Sequence, residues 1–190
     1  MRINLPTALT LGRVAIIPVV LGLFYVDWQH ARQASAVLFV VAAFTDWLDG
    51  WLARRWNQTS NFGAFLDPVA DKLLVAVALV MLLRDHSTGL MGVLVAVIIG
   101  REITISALRE WLAEMGERKR VAVGMLGKIK TAFQMTAISL MLWKLPVGPI
   151  PVYELGYGLL FGAAALTLWS MAVYMKAAWP LMRDELQRPA

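Results

Sequence analysis

Four aspartates stand close together in the stretch Thr45–Lys72, TDWLDGWLARRWNQTSNFGAFLDPVADK. Asp46 and Asp49 follow an apolar run, Ala34–Phe44, and Asp67 and Asp71 precede another, Leu73–Leu83. If both runs are helical, residues three and four apart share a face. Asp46, Asp49 and Ala53 then lie on one face of the first helix, and Gly63, Asp67 and Asp71 on one face of the second. The link Arg55–Phe62 is polar and short, which predicts antiparallel neighbours whose acidic faces meet at one depth. Four carboxylates so close cannot all stay ionised without cations. Oxygen ligands from facing helices suit Mg²⁺ or Mn²⁺, and a pair of such ions suits phosphoryl chemistry. Asp46 and Asp49 also fall near the partly negative end of their helix, a conflict that a bound cation removes. A solvated acidic turn is the simpler reading for one Asp. It fits poorly with four at these spacings beside Gly50 and Gly63.

The elements that must position these groups are apolar helices. Of 190 residues, 59% are hydrophobic and only 16% charged, too apolar for an ordinary soluble domain and short enough for a single one, 1–190. No cysteine is present, which excludes disulfides, thiolate metal sites and a cysteine nucleophile. The net charge of +5 is compatible with nucleic acid, but in so apolar a chain basic residues more often mark cytoplasmic loops and anionic headgroups, so no nucleic-acid partner is expected.

The pattern predicts an all-α integral membrane protein of six transmembrane helices, preceded by a short interfacial segment, Met1–Thr10. The first span is Leu9–Val26, with Pro18 inside it, and is read as retained rather than as a signal peptide. The second and third, about Ser35–Ala53 and Ala64–Leu83, carry the aspartates. Leu90–Ile99 alone is too short to cross, since about 20 residues are needed. The fourth helix must therefore continue through Arg101 and Glu102 towards Arg109, with both charges facing the interior. Glu110–Arg120 reads as a charged loop, Val123–Trp143 as the fifth span, Leu155–Met175 as the sixth, and the remainder as a polar tail. Six spans put both termini on the side of the aspartates. Lys and Arg crowd that side, while Arg32, Arg84 and Lys144 lie opposite, so the aspartates face the cytoplasm.

A second constellation is basic. Lys128 and Lys130 open the fifth helix, where the helix dipole is already positive, and Arg109 and Arg118 come from the neighbouring helix end and loop. An anion docked there would relieve the repulsion. Contact with lipid headgroups is the alternative reading of each residue taken singly. Thr10 and Arg13 are weak candidates for closing over a nucleotide. His30 and His86 fall in outward loops, and neither begins a His-x-Lys pattern, which disfavours a covalent phospholipase-D-like route.

The spacing Asp46-x2-Asp49-Gly50-x2-Ala53-Arg54-x8-Gly63-x3-Asp67-x3-Asp71 resembles the full signature of the CDP-alcohol phosphotransferases. FGAFLDPVADK, REITISALREW, LGKIKT and LPTALTLGRV resemble the bacterial phosphatidylglycerophosphate synthases within that family, so the likeness covers most of the chain. The resemblance implies a bacterial inner-membrane enzyme, a homodimer, with two divalent metals on Asp46, Asp49, Asp67 and Asp71. Gly50, Ala53, Arg54 and Gly63 would receive the nucleotide. The implied reaction passes a phosphatidyl group from CDP-diacylglycerol to glycerol 3-phosphate among the membrane lipids. Asp71, one turn beyond Asp67, would be the general base, and Arg109, Arg118, Lys128 and Lys130 would bind the acceptor phosphate. The nearest rivals are the same chemistry with serine or inositol phosphate as acceptor, and a divalent-cation or proton transporter. A transporter should carry polar residues through the membrane midplane, whereas here they gather at one face.

Overall fold

The computed structural model describes residues 5–56, 61–117 and 125–187. It is all-helical, with six helices: α1 Leu5–Leu23, α2 Ala31–Trp56, α3 Asn61–Asp85, α4 Gly89–Glu114, α5 Met125–Trp143 and α6 Val152–Leu186. Three have stretches long and apolar enough to cross a membrane: Ala31–Leu52 in α2, the whole of α4, and Val152–Asp184 in α6. In α1 the apolar stretch, Thr7–Leu23, is shorter. In α3 the apolar run is interrupted by Asp67, Asp71 and Lys72 near one end and by Arg84 and Asp85 at the other.

One core joins all six helices. Ile17 of α1, Phe39 of α2, Leu74, Leu79 and Leu82 of α3, Ile98 of α4, Ile138 and Met141 of α5, and Leu160 of α6 are buried in it. Many large side chains outside it are also apolar and exposed, Phe65, Ile103 and Trp169 among them. Such a surface suits a bundle solvated by lipid tails. In that solvent apolar burial does not drive helix association, so close van der Waals packing must do so. The small interior residues Ala36, Ala42, Ala78, Ala137 and Ala164 serve that purpose. α5 and α6 approach closely, so that a Cβ on Gly156 would stand 2.9 Å from the Ala137 carbonyl oxygen.

The packing order differs from the sequence expectation in one respect that matters for function. α2 and α3 touch each other little, and α1 packs extensively against both. The acidic helices are therefore joined through α1 as well as directly. At the opposite end, Asp85 of α3 accepts from Arg32 of α2 at 2.6 Å and from Lys144, just after α5, at 3.0 Å. That end is closed by charge pairs between helices.

Three boundaries are corrected. The segment expected before the first span is helical from Leu5 and continuous with α1. α4 does not stop near Arg109; it runs to Glu114 and ends at Met115, followed by Gly116 at φ +75°. The expected polar tail is helical to Leu186. The last two share a cause. Leu108 and Leu112 of α4 pack with Tyr174 and Ala178 of α6 in a second small core, flanked by Trp111, Leu181 and Met182. Residues 174, 178, 181 and 182 follow the spacing of one helical face, and Lys176 and Arg183 sit on the opposite, exposed face.

Gly156→Ala should force α5 and α6 apart, because the obstructing atom is backbone and cannot rotate away. A loss of about 1–3 kcal/mol is expected, as for overpacking, read as a lower unfolding midpoint in detergent. An unchanged midpoint would mean that the pair can slide at no cost.

Candidate active site

Asp46 and Asp49 sit in the C-terminal half of α2, and Asp67 and Asp71 in the first three turns of α3. Their helical spacing brings the four to one end of the bundle. One carboxylate oxygen each from Asp46, Asp49 and Asp67 lies within 4.8 Å of the others. Asp49 is almost fully buried, while Asp46 and Asp67 keep partial exposure. Asp71 is outside this tight group, one turn further along α3. It remains within electrostatic reach of Asp46, Asp67, Arg13 and Glu102. Asp49 Oδ1 and Asp71 Oδ1 are buried and accept no hydrogen bond among the described residues.

The residue that completes the cluster comes from α1. Arg13 has a side chain with 0% exposure. Its Nη1 is 2.6 Å from Asp46 Oδ1 and 3.4 Å from Asp67 Oδ1, and its Nη2 is 2.5 Å from Asp49 Oδ2. Thr10, one turn earlier on α1, donates from Oγ1 to Asp67 Oδ1 at 3.3 Å. The sequence reading gave these two residues little weight. The signal was present nonetheless: an arginine within an apolar run, with a threonine three residues before it on the same face, demands a buried partner.

Gly50 and Gly63 are half-buried beside the cluster. The side chains of Ala53 and Arg54 lie outside the described residues. Arg55, their neighbour, places its guanidinium 5.0 Å from the ring centre of Trp51.

The basic constellation is assembled in part. Lys130 is buried and donates to Glu102 Oε2 at 2.9 Å. Arg101 Nη1 donates to the same oxygen at 3.1 Å, and its Nη2 donates to Ser170 of α6 at 3.1 Å. Arg109 lies 5.5 Å from the ring centre of Tyr174, and its Nε is buried without a partner among the described residues. Arg101 and Arg109 are both close enough to Lys130 to repel its charge. Three polar residues of α4 meet different partners: Glu102 meets Lys130, Ser106 meets Lys72, and Arg109 meets Tyr174. Arg118 lies outside the described residues, as does the side chain of Lys128. Arg101 and Glu102 face the interior as their depth required.

Between α3 and α4 lies an apolar cavity of about 310 Å³, lined by Pro68, Val69, Leu73, Ile98 and Ile103, with Lys72 and Glu102 among its walls. Pro68 and Lys72 in its wall are the sequence neighbours of Asp67 and Asp71, and neither aspartate lines it.

The donor set fits hard divalent cations. It offers carboxylate oxygens from two helices, neither histidine nor cysteine joins the tight group, and two buried oxygens remain without hydrogen bonds.

Comparison with known proteins agrees with this arrangement. Residues 3–174 match the family model for CDP-alcohol phosphatidyltransferase. The chain belongs to that family. The match takes in α1 to α5 and α6 as far as Tyr174, so Arg13, the four aspartates, Glu102 and Lys130 all fall inside it. Among similar proteins, one from Salmonella typhi is 51% identical over 178 residues, covering 94% of this chain and 96% of its own length. Others from Shigella flexneri and Escherichia coli (strain K12) are 51% identical over 185 residues, covering 97% of this chain and 100% of theirs. All three are named CDP-diacylglycerol--glycerol-3-phosphate 3-phosphatidyltransferase.

The Lys130–Glu102 pair should be strongly coupled. Removing Glu102 leaves Lys130 charged beside Arg101 in a mostly buried site, and removing Lys130 leaves Glu102 with Arg101 alone, each at a cost of roughly 1–3 kcal/mol. In a double-mutant cycle of Lys130→Met and Glu102→Gln, the double variant should be more stable than the two single losses summed. Strict additivity would show that the pair is not coupled in solution.

Proposed function

We propose that the chain transfers the phosphatidyl group of CDP-diacylglycerol to glycerol 3-phosphate, giving phosphatidylglycerophosphate and CMP. The observation that carries this is 51% identity with relatives of that name along almost the whole of both chains. The membrane frame we infer is six crossings, with both termini and the carboxylates on the cytoplasmic side of a bacterial inner membrane. The excess of Lys and Arg at that end supports it.

In this reading the acceptor hydroxyl oxygen bonds to the phosphorus that bears diacylglycerol, and the bond from that phosphorus to the CMP oxygen breaks. Asp46, Asp49, Asp67 and Asp71 would hold two divalent ions, Mg²⁺ or Mn²⁺, which supply charge neutralisation at the phosphoryl oxygens and the departing CMP. Asp71 takes the hydroxyl proton at Oδ1, the oxygen left without a hydrogen bond. Gly50, Ala53 and Gly63 leave room for the nucleotide against the helices, and Arg54 binds its phosphates. Arg109 and Lys130, with Lys128 and Arg118, bind the acceptor phosphate. Phosphate recognition by such a set favours glycerol 3-phosphate over an uncharged acceptor such as serine. The apolar cavity between α3 and α4 supports a lipid-linked donor, because an acyl chain can enter it.

The deciding assay uses purified protein, CDP-diacylglycerol and a panel of labelled acceptors. Glycerol 3-phosphate should be consumed with release of CMP, and EDTA should stop the reaction. Turnover with serine or inositol phosphate alone would reject the acceptor, and full activity in metal-free buffer would reject the ions.

Two substitutions separate the roles. Asp71→Asn keeps shape but loses basicity, so kcat should fall by at least ~10²-fold while donor binding weakens less. Lost donor binding with near-normal single-turnover chemistry would make Asp71 a ligand only. Arg109→Ala should raise KM for glycerol 3-phosphate more than KM for CDP-diacylglycerol; equal changes would assign Arg109 to packing on Tyr174.

A further inference from the structure

We propose that Arg13 is the resident counter-cation of the carboxylate cluster: it holds Asp46, Asp49 and Asp67 together until a divalent cation takes its place. The inference rests on the metal reading above and concerns what occupies those oxygens before the metal does.

An arginine cannot shed its proton in a protein, so a fully buried guanidinium must be balanced at all times. Arg13 is balanced by three carboxylates, two of them at 2.6 Å or less. The compensation is incomplete in the other direction, since one guanidinium faces four aspartates. The shortfall is visible as Asp49 Oδ1 and Asp71 Oδ1, buried oxygens that receive no hydrogen among the described residues. A pair of divalent ions would neutralise all four carboxylates and leave Arg13 in excess.

Arg13 and the metal also need the same atoms. A Mg²⁺ or Mn²⁺ ion about 2.1 Å from Asp46 Oδ1 or Asp49 Oδ2 would stand within roughly 5 Å of the guanidinium nitrogens, a like charge in a water-poor site. Each therefore weakens the hold of the other, and by linkage both are weakened by one factor. The architecture gives the competition a use. Direct contact between α2 and α3 is slight, and α1 packs on both. Through Arg13, α1 holds three like-charged groups, Asp46, Asp49 and Asp67, at bonding distance while metal is absent. A role limited to orienting the carboxylates predicts the opposite sign, because losing Arg13 would then weaken metal binding.

The test is Mn²⁺ titration of the purified protein in detergent, followed by electron paramagnetic resonance of the free ion. Arg13→Gln keeps length and hydrogen bonding but removes the charge. Its Kd for Mn²⁺ should be tighter than that of the wild type by at least about fivefold, the lower end of ordinary coupling between two sites. In EDTA its Tm should drop by roughly 5–10 °C, and saturating Mn²⁺ should close most of that gap. Arg13→Lys keeps the charge and guards against a variant that fails to fold; its Kd should lie between the two. If both variants bind Mn²⁺ no tighter than the wild type, the counter-cation role is overturned and the metal reading stands. A wild type that turns over without binding Mn²⁺ or Mg²⁺ overturns both.

Discussion

The structure turns on the electrostatics of four aspartates gathered at one end of an apolar bundle. Carboxylates repel one another, and the repulsion grows as water is removed. Only opposite charge can keep them at the spacing found here, and α1 supplies it through Arg13, with Thr10 donating to Asp67. The order of packing follows from that need. α1 lies against both acidic helices, and the short motif on α2 and α3 becomes a site made by three helices. The opposite end uses the same device on a smaller scale, with Arg32 and Lys144 converging on Asp85.

The second charged cluster obeys the same constraint with the signs reversed. Lys130, Arg101 and Arg109 come together from α4 and α5 near the carboxylates, and Glu102 stands among them. Each half of the site thus contains one residue of the charge that its proposed ligand would bring. The acidic half holds an arginine where cations would bind, and the basic half holds a glutamate where a phosphate would bind. Internal neutralisation of this kind lets strongly charged groups stay ordered at the edge of a low-dielectric bundle. It also means that anything binding there must displace an internal partner, which favours multiply charged ligands over neutral ones.

The scaffold leaves these groups few degrees of freedom. Alanines and Gly156 allow close helix approach, and Ile98, Leu74 and Leu79 fix α3 against α4 deep in the core. Between those two helices an apolar cavity remains, with Pro68 and Lys72, the sequence neighbours of Asp67 and Asp71, in its wall. Beyond it, α4 and the long α6 close again through Leu108, Leu112, Tyr174 and Ala178, and the ring of Tyr174 carries both Arg101 and Arg109 on its face. The basic residues are thereby positioned from the far end of α6, well away in sequence from the aspartates.

What the sequence determined by itself is what depends on local order. The spacing of Asp46, Asp49, Asp67 and Asp71 places them on helix faces whatever the surroundings, because the helical repeat is a property of the backbone. The apolar runs specified helices, the depth of Arg101 and Glu102 required them to turn inward, and the motif was sufficient to name the family. What only the tertiary structure decided is which charges meet. Arg13 reaches Asp46, Asp49 and Asp67, Lys130 reaches Glu102, and Lys72 reaches Ser106 instead of the acidic cluster. Those pairings depend on helix rotation and crossing, which are set by side chains far apart in the chain. The helical extension of α6 was hidden for a related reason. Its charged residues read as a tail until α4 supplied an apolar partner for the opposite face, and burial of that face is what keeps the helix formed.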